Sequence, residues 1–251
     1  MDPLSWLKKK SAQPKPLSRI DAVILAGGLG KRLKPAVSDR PKVLADVNGR
    51  AFLDILVSYL LSQGFERIIL SVGYLKEQIT DYFKNHPHRE NLDFALEDTP
   101  LGTGGAIKKT KNLIRSEDFL VMNGDSFCQI NFADFYSFHS KNQNLLSIAL
   151  AEPRETPDYG VVLVDAGGKI RSFDEKNATL RGFANAGIYF MNQKIFPILP
   201  AQEAFSLEYD FFPKILDKKC SAFLLPGKLI DIGTPERYAE TQQFFRTATL
   251  S

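Results

Sequence analysis

The chain has 251 residues, 44% apolar and 24% charged, the balance of an ordinary globule large enough for one well-buried α/β domain. No apolar run approaches the roughly 18 to 20 residues of a membrane span and the N-terminus lacks the apolar core of a secretory signal, so no transmembrane segment and a cytoplasmic location are expected. The formal charge of +3 is concentrated at the start: Lys8, Lys9, Lys10, Lys15 and Arg19 face only Asp2, which leaves the rest at −1 and without a basic face for nucleic acid. Residues 1–20 are therefore read as a basic flexible tail and 21–245 as a single domain.

Ala22 to Ala26 is a continuous apolar run, as in a parallel strand covered on both faces. It breaks into Gly27-Gly28-Leu29-Gly30-Lys31-Arg32. After Pro41-Lys42, the pair Asn48-Gly49 marks a tight turn, and Phe52, Leu53, Leu56, Tyr59 and Leu60 fall at helical spacing up to a stop at Gly64. Arg67 to Val72 then reads as strand, Lys76 to Lys84 as helix, Leu92 to Leu96 as strand, Gly104 to Ile114 as helix and Phe119 to Met122 as a buried strand ending in Asn123-Gly124-Asp125. This alternation predicts a doubly wound, mostly parallel, Rossmann-like α/β sheet, with the glycine loop and Asp125 on its carboxyl edge. From there the runs are short and extended: Leu146–Ala151, Gly160–Val164, Ile170–Phe173 and Ala186–Met191, with helices returning near Leu207 and Pro235. The first part, about 21–130, is read as a nucleotide half, and about 131–245 as a small extended sugar-binding half.

Three glycines within four residues, followed by two cations, suit a backbone that wraps phosphates. A dinucleotide loop wants Gly-x-Gly-x-x-Gly, and from Gly28 the third glycine is missing. The P-loop pattern fails too, because Gly30-Lys31 is followed by Arg32 and not by a hydroxyl for a metal ion. Gly27, Gly28 and Gly30 would present N–H groups to the β- and γ-phosphates of a triphosphate, and Arg32 would stabilise a departing pyrophosphate. No Ser/His/Asp set is apparent to supply a general base and nucleophile. His86, His88 and His139 have no assigned role, and Cys128 and Cys220 are read as reduced structural thiols.

Leu25 to Leu33, Pro41-Lys42, Pro100-Leu-Gly-Thr-Gly-Gly105, Asn123-Gly-Asp125, Glu175-Lys176, Asn185-Ala-Gly187 and Asp231-Ile-Gly-Thr-Pro235 together resemble the sugar-1-phosphate nucleotidyltransferases, in order from about residue 20 to 240. Glu97 to Ile107 with Ser206-Leu-Glu-Tyr-Asp-Phe-Phe-Pro213 looks most like the bacterial D-glycero-α-D-manno-heptose 1-phosphate guanylyltransferases. The resemblance implies the nucleotide-diphospho-sugar transferase fold. It also implies conversion of a nucleoside triphosphate (GTP) and a sugar 1-phosphate into GDP-heptose and pyrophosphate, by Mg²⁺-assisted in-line attack on the α-phosphate.

On that resemblance Lys42 corresponds to the lysine between attacking and α-phosphates, with Val43 where the family usually has proline. Asp125 and Asp231 correspond to the pair that holds Mg²⁺, a hard ion suited to carboxylates and retained waters. Lys176 would hold the sugar phosphate and Glu175 the sugar hydroxyls, with Asn177 in place of a frequent proline. Tyr159, Gly160, Asn185 and Gly187 match sugar-side positions. Leu25, Ala26, Gly27, Gly28, Gly30, Lys31, Arg32, Glu97, Gly102 and Asp125 make the nucleotide set. Guanine presents adjacent N1–H and N2–H₂ donors that one carboxylate can accept together, so Glu97 favours GTP. The alternatives are a uridylyl-, thymidylyl- or guanylyltransferase for mannose, glucose or N-acetylmuramic acid 1-phosphate, or a non-catalytic nucleotide-sugar sensor. Residue types leave the sugar undecided, and a homodimer is compatible with them.

Overall fold

The computed structural model describes residues 16–152, 160–165, 168–174 and 182–247. Its strands are β1 (Asp21–Leu25), β2 (Asp46–Val47), β3 (Arg50–Ala51), β4 (Arg67–Val72), β5 (Leu92–Leu96), β6 (Asp118–Asn123), β7 (Ser126–Phe127), β8 (Leu146–Ala151), β9 (Val161–Val164), β10 (Ile170–Asp174), β11 (Phe183–Asn192), β12 (Cys220–Leu224) and β13 (Ile230–Asp231). The α-helices are α1 (Phe52–Ser62), α2 (Lys76–Phe83), α3 (Gly102–Thr110), α4 (Phe132–Lys141) and α5 (Pro235–Thr247).

β1 runs between β4 and β6, parallel to both, with Ala22 level with Ile68 and Leu120, and β5 extends the parallel set beyond β4. A central strand needs cover on both faces, and the β1 run divides its side chains accordingly. Ala22 and Ile24 enter the core shared with α1, while Val23 enters a second core with Ile107 of α3. Beyond β6 the sheet changes direction. β11 pairs antiparallel with β6, β8 and β9, and β12 joins β8 in parallel. The expected mostly parallel sheet, joined to extended strands later in the chain, is the one observed.

Strands expected over Arg67–Val72, Leu92–Leu96 and Leu146–Ala151 have those bounds, and Asn48-Gly49 closes the β2–β3 hairpin with both residues at positive φ (55° and 89°). The helix expected from Gly104 to Ile114 instead starts at Gly102 and ends at Thr110. The carbonyl of Phe205, remote in sequence, accepts the Gly104 N–H at 2.9 Å and so starts the helix from outside. The helix near Leu207 is a π-helical turn, Leu207–Phe211. Elements that were not expected include α4, capped by the Asn131 side chain on the Asp134 N–H (3.1 Å), β12 and the short pair β7 and β13.

Leu17 and Ile20 are buried against the α1 core, so the packed domain already includes the end of the stretch read as a tail. Residues 1–15 lie outside the described residues, as do Tyr159, Glu175 and Lys176. Burial pushes the thiols of Cys128 and Cys220 up to about 12, as inert structural cysteines require. Among the described residues no helix is long and apolar enough to cross a membrane.

Candidate active site

β1 ends where the glycine loop begins, and the loop is stitched to the neighbouring strand. The Ala26 N–H donates to the Ser71 carbonyl of β4 at 2.7 Å. The glycines here have a local cause beyond any phosphate. A Cβ on Gly27 would lie 2.9 Å from Glu97 Oε1, and Gly30 has φ +59° with a would-be Cβ 2.8 Å from Lys42 Cβ. Bare backbone at these two positions lets Glu97 and Lys42 close on the loop.

A cleft of about 310 Å³ opens beside it. Of the residues expected at the site, Leu25, Gly27, Gly28, Gly30, Lys42, Glu97, Gly102 and Asp125 line it. Ala26 is buried beneath the loop, and Lys31 and Arg32 are exposed on the following turn, outside the cleft lining. A roomier cavity of about 560 Å³ lies where β6 starts, around Asp118 and His139. The carboxyl edge of the parallel strands, where open α/β sheets bind ligands, selects the cleft beside the glycine loop over that roomier one.

At the cleft, Lys42 Nζ donates to Asp125 Oδ2 at 2.5 Å and the Ser126 hydroxyl donates to Oδ1 at 3.0 Å. Burial opposes ionisation of Asp125, but the Lys42 ammonium and the Ser126 hydroxyl outweigh it and hold the carboxyl below its ordinary range. β7 pairs with β13 so that Asp231 stands opposite Ser126, and the Ile232 N–H donates to the Asp125 carbonyl at 3.0 Å. The two aspartates are thus neighbours across a two-stranded ribbon. Asp231 is 5% exposed; its Oδ1 accepts the Gly233 N–H at 2.7 Å, and Arg237 Nη1 lies 3.6 Å away. Among the described residues no group of three or more His, Cys, Asp and Glu side chains converges. Two carboxylates, with remaining coordination from phosphates and water, still fit a Mg²⁺ ion, which is commonly held by one or two carboxylates plus substrate.

Glu97 forms the buried wall of the cleft. It is 5% exposed, and its Oε1 accepts the Ser71 hydroxyl at 3.0 Å. Burial raises its pKa, against the Ser71 hydroxyl and a backbone hydrogen bond from Leu101. On the β11 side, the Asn185 N–H donates to the Gly160 carbonyl at 3.1 Å and Asn185 Oδ1 accepts the Gly187 N–H at 3.0 Å. Sequence reasoning did not single out Ser71, Thr103 or Asn123 as site residues. Thr103 and Asn123 line the cleft, and Asn123 Oδ1 is buried without a hydrogen-bond partner. Asn123 had a readable signal, its place in Asn-Gly-Asp at a strand end. Thr103 stands in Pro100-Leu-Gly-Thr-Gly-Gly105, but its partner Glu208 is 105 residues away; Ser71 had no signal, its partner Glu97 being 26 residues away.

Residues 21–248 match a protein-family model described as "Nucleotidyl transferase". The chain is 37% identical over 225 residues, 89% of its length and 97% of the relative's, to a protein of Aneurinibacillus thermoaerophilus named "D-glycero-alpha-D-manno-heptose 1-phosphate guanylyltransferase". A protein of the same name from Campylobacter jejuni is 37% identical over 219 residues, 87% of this chain and 97% of that one. Among solved structures, HddC from Yersinia pseudotuberculosis complexed with GMP-PN aligns with TM-score 0.79 and 37% identity, covering 90% of this chain and 99% of HddC.

Proposed function

The chain belongs to the nucleotidyl transferase family, and we propose that it joins GTP and D-glycero-α-D-manno-heptose 1-phosphate into GDP-heptose and pyrophosphate. The observation that carries this reading is a single cleft lined at once by the glycine loop, the buried carboxyl of Glu97 and the Lys42–Asp125 pair. Identity of 37% to two heptose 1-phosphate guanylyltransferases, each covered almost end to end, supports the sugar. The HddC complex with GMP-PN supports the base.

The chemistry is the meeting of two polyanions, so positioning and charge neutralisation are what the protein supplies. The sugar phosphate oxygen attacks the α-phosphorus of GTP; the bond to the β-phosphate oxygen breaks and pyrophosphate leaves with that electron pair. Gly27, Gly28 and Gly30 hold the triphosphate by backbone N–H groups. Lys42 turns its ammonium toward the reacting phosphates. Arg32, on the turn beyond the loop, meets the leaving pyrophosphate, with Lys31 beside it. Asp125 and Asp231 would hold Mg²⁺, which when bound adds further neutralisation of phosphate charge. Glu97 accepts the guanine N1–H and N2–H₂, and Gly102 flanks the base. Asn185, Gly187 and Gly160 face the sugar, with Tyr159, Glu175 and Lys176 assigned there by resemblance.

The test is pyrophosphate release with Mg²⁺ from GTP, UTP, dTTP, ATP and CTP, each offered the 1-phosphates of mannoheptose, mannose, glucose and N-acetylmuramic acid. Release with GTP and the heptose is expected. Release with a different pair would overturn the substrate assignment, and silence from folded protein across the panel would favour the sensor.

A further inference from the structure

The Ser206–Pro213 segment contributes no residue to the reaction as described, yet Glu208 within it ties together both walls of the cleft. Its Oε2 accepts the Thr103 hydroxyl at 2.7 Å and the Ser206 hydroxyl at 2.8 Å, and its Oε1 accepts the Tyr189 hydroxyl at 3.1 Å. Thr103 sits in the first turn of α3 and lines the cleft. Its hydroxyl also accepts the Leu207 N–H at 2.8 Å, which locks it in place.

From Tyr189 the connection continues to the other wall. The ring is fully buried, and its hydroxyl accepts from Asn185 Nδ2 at 3.0 Å. Asn185 Oδ1 in turn fixes the Gly187 N–H. Gly187 lies so close to Asn123 that a Cβ would come within 2.4 Å of Asn123 Nδ2. Asn123 lines the cleft with its buried Oδ1 unpartnered, an acceptor left for a bound hydroxyl or N–H. The path from Thr103 through Glu208, Tyr189, Asn185 and Gly187 to Asn123 thus begins and ends on the cleft.

We propose that Glu208 is a positioning residue that couples the two substrate sites, fixing Thr103 on the nucleotide wall and Tyr189 with Asn185 beneath the sugar wall in one mutual arrangement. This rests on the reading of the cleft given above. Three hydroxyl protons converge on its carboxylate, and hydrogen bonds to a charged acceptor are the stronger kind. A glutamine of the same size cannot reproduce them. With its oxygen kept for Thr103 and Ser206, its NH₂ would meet a Tyr189 hydroxyl that already accepts from Asn185, and the bond from Tyr189 to residue 208 would be lost. Binding of either substrate orders one end of the relay and reduces what the other must order.

The experiment is two-substrate steady-state kinetics on the full chain with GTP and the sugar 1-phosphate, for wild type, Glu208→Gln, Thr103→Val, Thr103→Ser, Tyr189→Phe and the Thr103→Val/Tyr189→Phe pair. The readout is the factor by which saturating sugar phosphate tightens GTP. That factor is expected to be roughly 5-fold or more in wild type. Glu208→Gln, Thr103→Val and Tyr189→Phe are expected to bring it near 1, and Thr103→Ser, which keeps the hydroxyl, to retain it. The double variant should fall roughly 3- to 30-fold short of the product of the single losses in kcat/KM. Should Glu208→Gln fail to fold, the Thr103/Tyr189 cycle decides alone. Multiplicative losses in an active enzyme, or a coupling factor unchanged in Glu208→Gln, would overturn the relay and leave the site reading standing. Silence of the wild type would instead remove the site reading itself.

Discussion

Replacing Glu97 by glutamine changes one atom in the wall of the cleft and should convert a guanine site into one with little preference. The carboxyl is 5% exposed, and the Ser71 hydroxyl at 3.0 Å holds Oε1 in place. As a carboxylate it offers acceptors to both the N1–H and N2–H₂ of guanine; as an amide it offers one acceptor and turns an NH₂ toward a donor. Losing one hydrogen bond to a charged group costs about 1.5–3 kcal/mol, and leaving a buried donor unpaired costs about 1–3 kcal/mol more. A combined loss of about 2.5–6 kcal/mol lowers kcat/KM for GTP by a factor of roughly 70 to 20,000. UTP should change by less than about threefold, having no donor pair to lose. Inosine triphosphate, which keeps N1–H and lacks the N2 amine, should fall between them with wild type. Burial raises the pKa of Glu97, so wild-type kcat/KM for GTP should drop as pH falls through that raised value, and the glutamine variant should lack this limb. For stability the sign is opposite. A raised carboxyl pKa favours the fold at low pH, and that contribution is lost as pH rises through it, so Glu97→Gln should keep or raise Tm at neutral pH. Equal losses for GTP and UTP would refute base readout by Glu97.

Asp125→Asn should reduce turnover by at least roughly 100-fold, while thermal melting shifts by no more than about 1 kcal/mol because the Asp125 side chain is 37% exposed; near-normal Mg²⁺-dependent rates would contradict its role. At the far edge of the sheet Asp21 is a structural acid. Burial would raise its pKa, but the Ser116 and Arg115 N–H groups and Arg67 overrule it, and the pKa is lowered. The stability it contributes is present above the ordinary carboxylate pKa of about 4 and is lost as pH falls through the lower folded value. Asp21→Asn should cost roughly 2–4 kcal/mol in denaturant melts at neutral pH, and the difference from wild type should shrink in acid.

Local regularities were legible in the chain, and contacts across it were not. β4, β5 and β8 could be bounded from sequence because each is a short apolar run between turn residues, and the α1 stop at Gly64 because its φ of +95° suits glycine. α3 was misplaced by two residues at its start because its first turn is glycine-rich, and glycine is a weak helix former. The backbone of Phe205 holds that turn from 100 residues away. β12 likewise finds its partner β8 far off in sequence, with Cys220 opposite Leu146. In the site, Lys42, Asp125 and Asp231 were assigned from the resemblance of the motifs around them, and the fold pairs Lys42 with Asp125 and sets Asp231 opposite Ser126. The glycine loop read as a phosphate cradle also makes room for Glu97 and Lys42, a steric demand invisible until the chain is folded. Glu208 escaped for the same reason as β12: its hydroxyl partner in Thr103 is 105 residues away.

The most direct test of the central reading is to follow the label from α- and γ-³²P GTP separately through one turnover with mannoheptose 1-phosphate. Attack on the α-phosphorus sends the α label into the sugar nucleotide and the γ label into pyrophosphate. A γ label on the sugar, or release of inorganic phosphate with no labelled sugar nucleotide, would contradict nucleotidyl transfer at this cleft.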